Sequence, residues 1–303
     1  MGRGRKRRGE AIDGVLLLDK QQGITSNKAL QQCRYLINAQ KGGHTGALDP
    51  LATGLLPLCF GQATKVSSFL LDSDKTYAVT ATLGEIRDTG DADGKVIERF
   101  EVTVSEQDVK TAINQFIGEY DQVPPMYSAL KVNGQPLYML ARQGIEIERK
   151  ARRVTAYDIR YGALEGDTLT FEVDCSSGFY VRSLVEDIGS MLACGAHVKM
   201  LRRTRIGKLT VEDALTFSEL EACADNQARI EKLIPADLLL DKFPDVLLNI
   251  EQQVELQYGR VVKQDNKTHA EIPWVRIYGP ENVFLGLGKL SAEGLLAPKR
   301  LFV

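Results

Sequence analysis

Residues 42–64 read GGHTGALDPLATGLLPLCFGQAT, and among these 23 residues Asp49 is the one side chain certain to be ionised at neutral pH. Leu48, Pro50, Leu51, Leu55 and Leu56 surround it with apolar bulk. A segment of that composition belongs inside a fold, and it carries the carboxylate in with it. Desolvation by such neighbours raises a carboxyl pKa unless a cation stands close by, so the fold has to bring one from a distant part of the chain. The competing reading is a surface Asp-Pro pair that opens a turn.

The remaining sequence supplies alternating strands and capped helices. Residues 14–18 read as a short buried strand, and Thr25 or Ser26 offers an N-cap for a helix running to about Asn38. In residues 75–83, Tyr77, Val79, Ala81 and Leu83 alternate with Thr76, Ala78, Thr80 and Thr82, the pattern of a half-buried strand. Ser105 and Asp108 make a capping box in which Asp replaces the usual Glu or Gln, opening a helix with an apolar stripe of Val109, Ile113 and Phe116. Residues 121–152 are interrupted by Pro124, Pro125, Gly134, Pro136 and Gly144 and carry Tyr127, Lys131, Tyr138 and Arg142; an inserted, mobile lobe is expected there. Strands are expected at 154–161 and 169–175 about a turn at Glu165-Gly166-Asp167. A helix from about Val181 to Cys194, capped by Gly195, and a basic strand from about His197 to Leu209 follow. Beyond about Pro244, β-like runs at 246–250, 274–278 and 284–290 indicate a small all-β appendage.

With 303 residues, 44% of them apolar, the chain can bury one large core and a smaller one. No apolar run approaches the roughly 18–20 residues that cross a bilayer, and no signal-like stretch follows the basic start, so a cytoplasmic protein without membrane contact is expected. Cys33, Cys59, Cys175, Cys194 and Cys223 form no CxxC pair, and His44, His197 and His269 are far apart, so reduced thiols and no metal are expected. The acidic stretch from Asp88 to Gly94 hints at a calcium loop, but aligning Gly94 with the sixth position puts Thr89 first and Phe100 twelfth, both wrong for calcium. Neither a P-loop nor a dinucleotide fingerprint occurs, so no cofactor is expected.

The net charge of −2 conceals three basic clusters. The first is Arg3, Arg5, Lys6, Arg7 and Arg8; the second Arg149, Lys150, Arg152 and Arg153; the third Lys199, Arg202, Arg203, Arg205 and Lys208. Any one of them reads as a solvated tail or face. Together, on a nearly neutral protein, they point to a phosphate-backbone ligand.

The stretch GHTGALDPLATGLLPL resembles the hallmark motif of the TruB-type pseudouridine synthases. The resemblance continues through GVLLLDKQQGITSN, DKTYAVTATLGEIRDTGDADG, PPMYSALKVNGQPLYMLARQGIEIER, CSSGFYVRSLVEDIG and ACGAHVKMLRRTRIG, the last departing from the family's GCGAHV at Ala193. It implies that Asp49 is the catalytic carboxylate, Tyr77 the aromatic that stacks on the flipped uracil, and Arg182 the cation paired with Asp49 and keeping it ionised. Tyr180 and Leu201 would line the same pocket, and His44 would contact RNA where the base flips out. By themselves these residues also read as core or loop side chains. Lys20 and Lys65 bracket the motif and either meet phosphates or stay solvated.

The implied activity is isomerisation of the uridine at position 55 in the T-loop of tRNA, with the T-stem loop as binding partner and no obligatory protein partner. The implied fold is α/β (α+β): a mixed, mostly antiparallel sheet flanked by helices, with a thumb-like insertion at about 121–152 and a small C-terminal β-rich PUA-like domain. The expected division is a basic tail at 1–10, a catalytic domain at 11–243 and an RNA-binding domain at 244–303. A non-catalytic RNA-binding protein is the main alternative. A glycoside hydrolase with paired carboxylates is a third, weakened because the motif holds no second acid near Asp49.

Overall fold

The run GVLLLDK forms strand Gly14–Lys20, and both of its faces are covered. Leu16 and Leu18 pack under helix Ser26–Leu36, whereas Val15 and Leu17 face a second core that includes Leu239, Leu240 and Leu287. A continuous apolar run, rather than an alternating one, is what burial on two sides demands. The antiparallel neighbour Thr53–Phe60 repeats the arrangement, with Leu56, Leu58 and Phe60 on the first side and Leu55 and Cys59 on the second. The Leu-rich half of the segment around Asp49 is thus an interior strand.

This computed structural model describes residues 9–132, 134–264 and 270–302; the basic cluster Arg3 to Arg8 and His269 lie outside the described residues. Among the described residues ten strands form one sheet. Its order is Leu215–Thr216, Gly14–Lys20, Thr53–Phe60, Ala196–Ile206, Lys75–Leu83, Thr168–Cys175, Arg152–Glu165 and Gly118–Gln122, with Gly42–His44 and Leu209–Thr210 paired beside it. Gly14–Lys20 with Leu215–Thr216 and Thr53–Phe60 with Ala196–Ile206 are parallel, and the other pairings are antiparallel. Gly54 permits the second parallel contact: it holds φ +98°, and a Cβ there would sit 2.2 Å from the Arg203 carbonyl oxygen.

Helices Glu106–Asn114 and Val181–Met191 cover the face carrying Val79, Ala81 and Leu83, giving the mixed, mostly antiparallel sheet flanked by helices that was expected. The Ser105–Asp108 capping box makes both of its bonds. Two helices stop earlier than the sequence indicates. The first ends at Leu36, with Asn38 at φ 58°; the other ends at Met191, with Ala193 and Gly195 both at positive φ and the Cys194 and Gly195 N–H groups donating to the Gly189 carbonyl. Within 121–152 a small hairpin, Lys131–Val132 with Gln135–Pro136, leads into a one-turn helix Leu137–Ala141 whose Leu137 is buried.

The C-terminal sheet has the order Asp245–Leu247, Ile272–Tyr278, Phe284–Leu290, Leu295–Leu301 and Val262–Lys263. The all-β expectation needs correction, because helix Ile250–Gln257 interrupts it. Its signal was the Asn249–Gln252 capping box, masked by the apolar run 246–250 that resembles a strand. Trp274 and Phe284 of this sheet, with the following Phe302, pack into the core that holds Val15 and Leu17. Lys65 Nζ donates to the Leu301 carbonyl at 2.5 Å and Arg300 Nη1 to the Lys65 carbonyl at 2.5 Å, so Lys65 fastens the two sheets together and is not a solvated phosphate ligand. No helix among the described residues is long and apolar enough to cross a membrane.

Candidate active site

Asp49 lies on the loop between strands Gly42–His44 and Thr53–Phe60, and that loop is held at several points. Leu48 N–H donates to Ser26 Oγ at 2.7 Å, and the Ser26 hydroxyl donates to the Leu48 carbonyl at 3.0 Å. Gly23 N–H donates to the Pro50 carbonyl at 2.8 Å and Thr45 N–H to the Pro57 carbonyl at 3.1 Å. Arg203 clasps the two ends: Nε donates to the Leu55 carbonyl at 2.8 Å and Nη2 to the Gly46 carbonyl at 2.9 Å. Leu48, Leu51 and Ala52 are buried beneath.

The distant cation that the sequence demanded is Arg182, the second residue of helix Val181–Met191. Its Nη2 stands 2.9 Å from Asp49 Oδ2, with the arginine side chain 7% exposed and the aspartate side chain 46% exposed. The carboxylate therefore opens to solvent on one side only. Arg182 also donates to the Thr89 carbonyl at 3.0 Å and the Tyr127 carbonyl at 2.7 Å, and it faces Asp91 at 3.6 Å. One guanidinium so serves four acceptors. Burial raises the Asp49 pKa above its ordinary value and Arg182 opposes that rise without cancelling it; Asp91 adds to the rise. The expected pairing of Arg182 with Asp49 is present, the same guanidinium also faces Asp91, and burial outweighs its pull on the Asp49 pKa. The motif itself holds no second acid, as the sequence showed, but the fold brings Asp91 from outside it to the other side of Arg182.

Asp49, Tyr77, Tyr180, Arg182 and Leu201 line one cleft of about 350 Å³. Tyr77 and Leu201 arrive on neighbouring strands, Lys75–Leu83 and Ala196–Ile206, where Tyr77 is directly opposite Arg203. Burial pushes the Tyr77 hydroxyl pKa up, against the nearby Arg203 charge, so the ring is neutral. Tyr180 is held through its backbone by the buried Gln122 amide, which accepts from Tyr180 N–H at 2.8 Å and donates to its carbonyl at 3.0 Å. His44 does not line this cleft. It lines an adjoining one of about 550 Å³ that shares Asp49 and Arg182 and is bounded by Asn27 on one side and by Tyr138 and Arg142 of the insertion on the other. Burial, then Arg203, lowers the His44 pKa, which leaves the imidazole neutral, and its sheltered Nδ1 has no hydrogen-bond partner among the described residues.

Sequence reading missed Asp91 and treated Arg203 as one member of a surface cluster. Lys20 is also not what was expected: it is fully buried, Nζ donates to the carbonyls of Gln21 and Ile24, and burial pushes its pKa down to about 8. It acts on Asp49 by charge at a distance. The third basic cluster is mostly ion-paired within the fold. Arg202 meets Asp19 at 2.6 Å, Arg205 meets Asp174 at 3.1 Å and Lys208 meets Asp241 at 2.5 Å, while Lys199 stays exposed. In the second, Arg149 reaches Glu146 at 3.6 Å and Arg153 reaches Glu119 at 3.3 Å. Arg153 and Glu119 sit on adjacent strands, whereas Arg202 and Arg205 each reach across one intervening strand to their acid.

Comparison with known proteins bears on this site. Residues 34–181 match the TruB family pseudouridylate synthase N-terminal domain, residues 182–254 the tRNA pseudouridylate synthase B C-terminal domain, and residues 244–302 the pseudouridine synthase II TruB C-terminal domain. The tRNA pseudouridine synthase B of Chromohalobacter salexigens is 50% identical over 298 residues, covering 98% of this chain and 96% of its own. That of Vibrio cholerae is 47% identical over 309 residues, covering 99% and 98%. The fold is shared with a chain in a Cbf5-Nop10-Gar1 complex, with a TM-score of 0.72 at 24% identity over 96% of this chain and 85% of that one. With family matches running from residue 34 to residue 302, the chain belongs to the TruB family of pseudouridylate synthases.

Proposed function

We propose that this protein converts the uridine at position 55 in the T-loop of tRNA to pseudouridine, with Asp49 as the catalytic carboxylate. The observation that carries the reading is the Asp49–Arg182 pair, 2.9 Å apart, in a cleft also lined by Tyr77, Tyr180 and Leu201. The reaction breaks the bond between C1′ and N1, turns the uracil, and joins C1′ to C5; the C5 hydrogen leaves as a proton and N1 gains one. Substrate and product have the same atoms, so the balance needs no redox equivalent. The base must leave its stack to be reached. An aromatic face such as Tyr77 holds a ring in place while leaving it free to turn in its own plane, which a fixed set of hydrogen bonds would prevent.

Asp49 can attack C1′, attack C6 of the uracil, or act as a base toward a glycal. Each route needs the ionised carboxylate, and each develops charge that the adjacent guanidinium stabilises. His44, with an unpartnered neutral imidazole nitrogen, is assigned to RNA binding beside the flipped base, and Tyr180 and Leu201 to the pocket wall. The insertion at 121–152 serves as a thumb closing on the T-stem loop; Tyr138 and Arg142 already border the outer cleft. The confinement of the second sheet to residues 245–301 supports a PUA-like RNA-binding domain at 244–303 after a catalytic domain at 11–243, while the basic tail at 1–10 rests on its charge. A tRNA substrate supports a cytoplasmic location.

The Asp49→Asn protein should bind tRNA and leave its T-loop uridine unmodified in a mass map of the RNA. Modification by that variant would remove Asp49 from the chemistry. Release of free uracil by the unaltered protein would favour glycosidic hydrolysis instead.

A further inference from the structure

The cleft that holds Asp49 opens onto the start of helix Ser26–Leu36: Thr25, Ser26 and Asn27 form part of its wall. From there Asn27, Lys28, Gln31 and Tyr35 lie exposed along one side of the helix, with Tyr35 89% exposed. At about 100° per residue these four fall within a sector of roughly 100°, and at about 1.5 Å per residue the ridge from Asn27 to Tyr35 is roughly 12 Å long. No acid occurs between Gln21 and Leu48, whereas Lys28, Arg34 and Lys41 are all basic. Among the described residues none of these three cations is in an ion pair, in contrast to Arg202, Arg205 and Lys208. In the two basic clusters among the described residues, Arg149, Arg153, Arg202, Arg205 and Lys208 are ion-paired. Among the described residues, Lys28 and Arg34 put positive charge outside any ion pair on this helix, and Arg142 does so on the other wall of the cleft.

We propose that this ridge is a second RNA contact, receiving the sugar–phosphate strand of tRNA where it leaves the Asp49 cleft, with Lys28 on a phosphate and Tyr35 stacked against an unpaired base. The proposal rests on the reading of this protein as a tRNA-modifying enzyme. A length of roughly 12 Å matches three to four nucleotides at about 3.4 Å per residue of strand. Amides at Asn27 and Gln31 offer donors to phosphate and sugar oxygens between the two anchors. Tyr35 contributes nothing to the core, and an exposed aromatic within a run of donors and cations is the composition of a single-strand platform.

The test is the Kd of an unmodified tRNA transcript across a salt series, measured for the unaltered protein and for Lys28→Glu, Tyr35→Ala and Tyr35→Phe, all at exposed positions outside the core. Lys28→Glu should weaken binding and lower the slope of log K against log salt by about 1. Tyr35→Ala should weaken binding on the order of 10-fold at every salt concentration, while Tyr35→Phe, which keeps the ring, binds as the unaltered protein does. Unchanged affinity and slope in Lys28→Glu and Tyr35→Ala would overturn the proposal, and equal losses in Tyr35→Ala and Tyr35→Phe would overturn the stacking. Failure of the unaltered protein to form pseudouridine in the same transcript would instead overturn the functional reading on which the proposal stands.

Discussion

Replacing Arg203 by Met separates the positioning of the Asp49 loop from the stability of the fold. Arg203 is 1% exposed, and its guanidinium bonds the carbonyls of Gly46 and Leu55, which bracket the loop. Losing two charged hydrogen bonds and leaving two sheltered carbonyls without donors costs roughly 2–6 kcal/mol. Against this, a cation buried without a carboxylate carries a desolvation penalty of several kcal/mol, which Met removes; burial lowers the Arg203 pKa for the same reason. The two effects oppose each other with similar size, so the net loss of stability is expected to be only about 0–3 kcal/mol, read as a shift in the urea midpoint. Activity is different, because nothing replaces the clasp. A displacement of about 1 Å at a reacting group can cost on the order of 10²-fold in rate. Single-turnover release of tritium from uracil C5 should therefore fall by about that factor in Arg203→Met while folded protein persists. Arg203→Lys should not recover it, since an ammonium on a flexible stem does not reproduce the planar fork that spans both carbonyls. Full activity in Arg203→Met would refute the assignment of the clasp.

The raised Asp49 pKa makes activity vanish on acidification at a pH above the ordinary aspartate value of about 3.9, because catalysis needs the ionised form; a pH–rate profile whose acid limb sits at the ordinary value would contradict the desolvated carboxylate. Burial also pushes Glu186 up to about 7 from 4.5. Its folded pKa exceeds the unfolded one, so the stability linked to its proton is fully present below pH 4.5 and is lost as pH rises through about 7. Glu186→Gln should match the unaltered protein in acid and exceed it by roughly 1–3 kcal/mol above pH 7, measured by urea unfolding at both pH values. Trp274 is the single tryptophan, and it lies with Phe69 and Phe243 where the two sheets meet, under the Arg300 guanidinium at 5.5 Å. Arg300→Ala removes that contact and the bonds to the Lys65 carbonyl and Ser68, so tryptophan emission should shift red at lower urea than the loss of far-UV circular dichroism; coincident transitions would show that the interface does not depend on Arg300.

The sequence by itself determined the local elements and the identity of the site. The alternation in 75–83 became strand Lys75–Leu83 without a shift at either end, and the Ser105–Asp108 box became a helix start, because period and capping are local properties. The need of Asp49 for a cation was legible from its neighbours alone, and the motif resemblance supplied Arg182. Tertiary structure decided how that cation is shared. Asp91 and the carbonyls of Thr89 and Tyr127 converge on Arg182 from far along the chain, and no spacing in the sequence announces such a meeting. It decided the fate of the charges as well. Lys20, Arg203 and Lys65 are indistinguishable in sequence from solvated cations, yet two are buried beside the Asp49 loop and the third fastens the sheets. Charge patterning reports which side chains carry a proton; only the packing of strands reports which acid, carbonyl or open water each one meets.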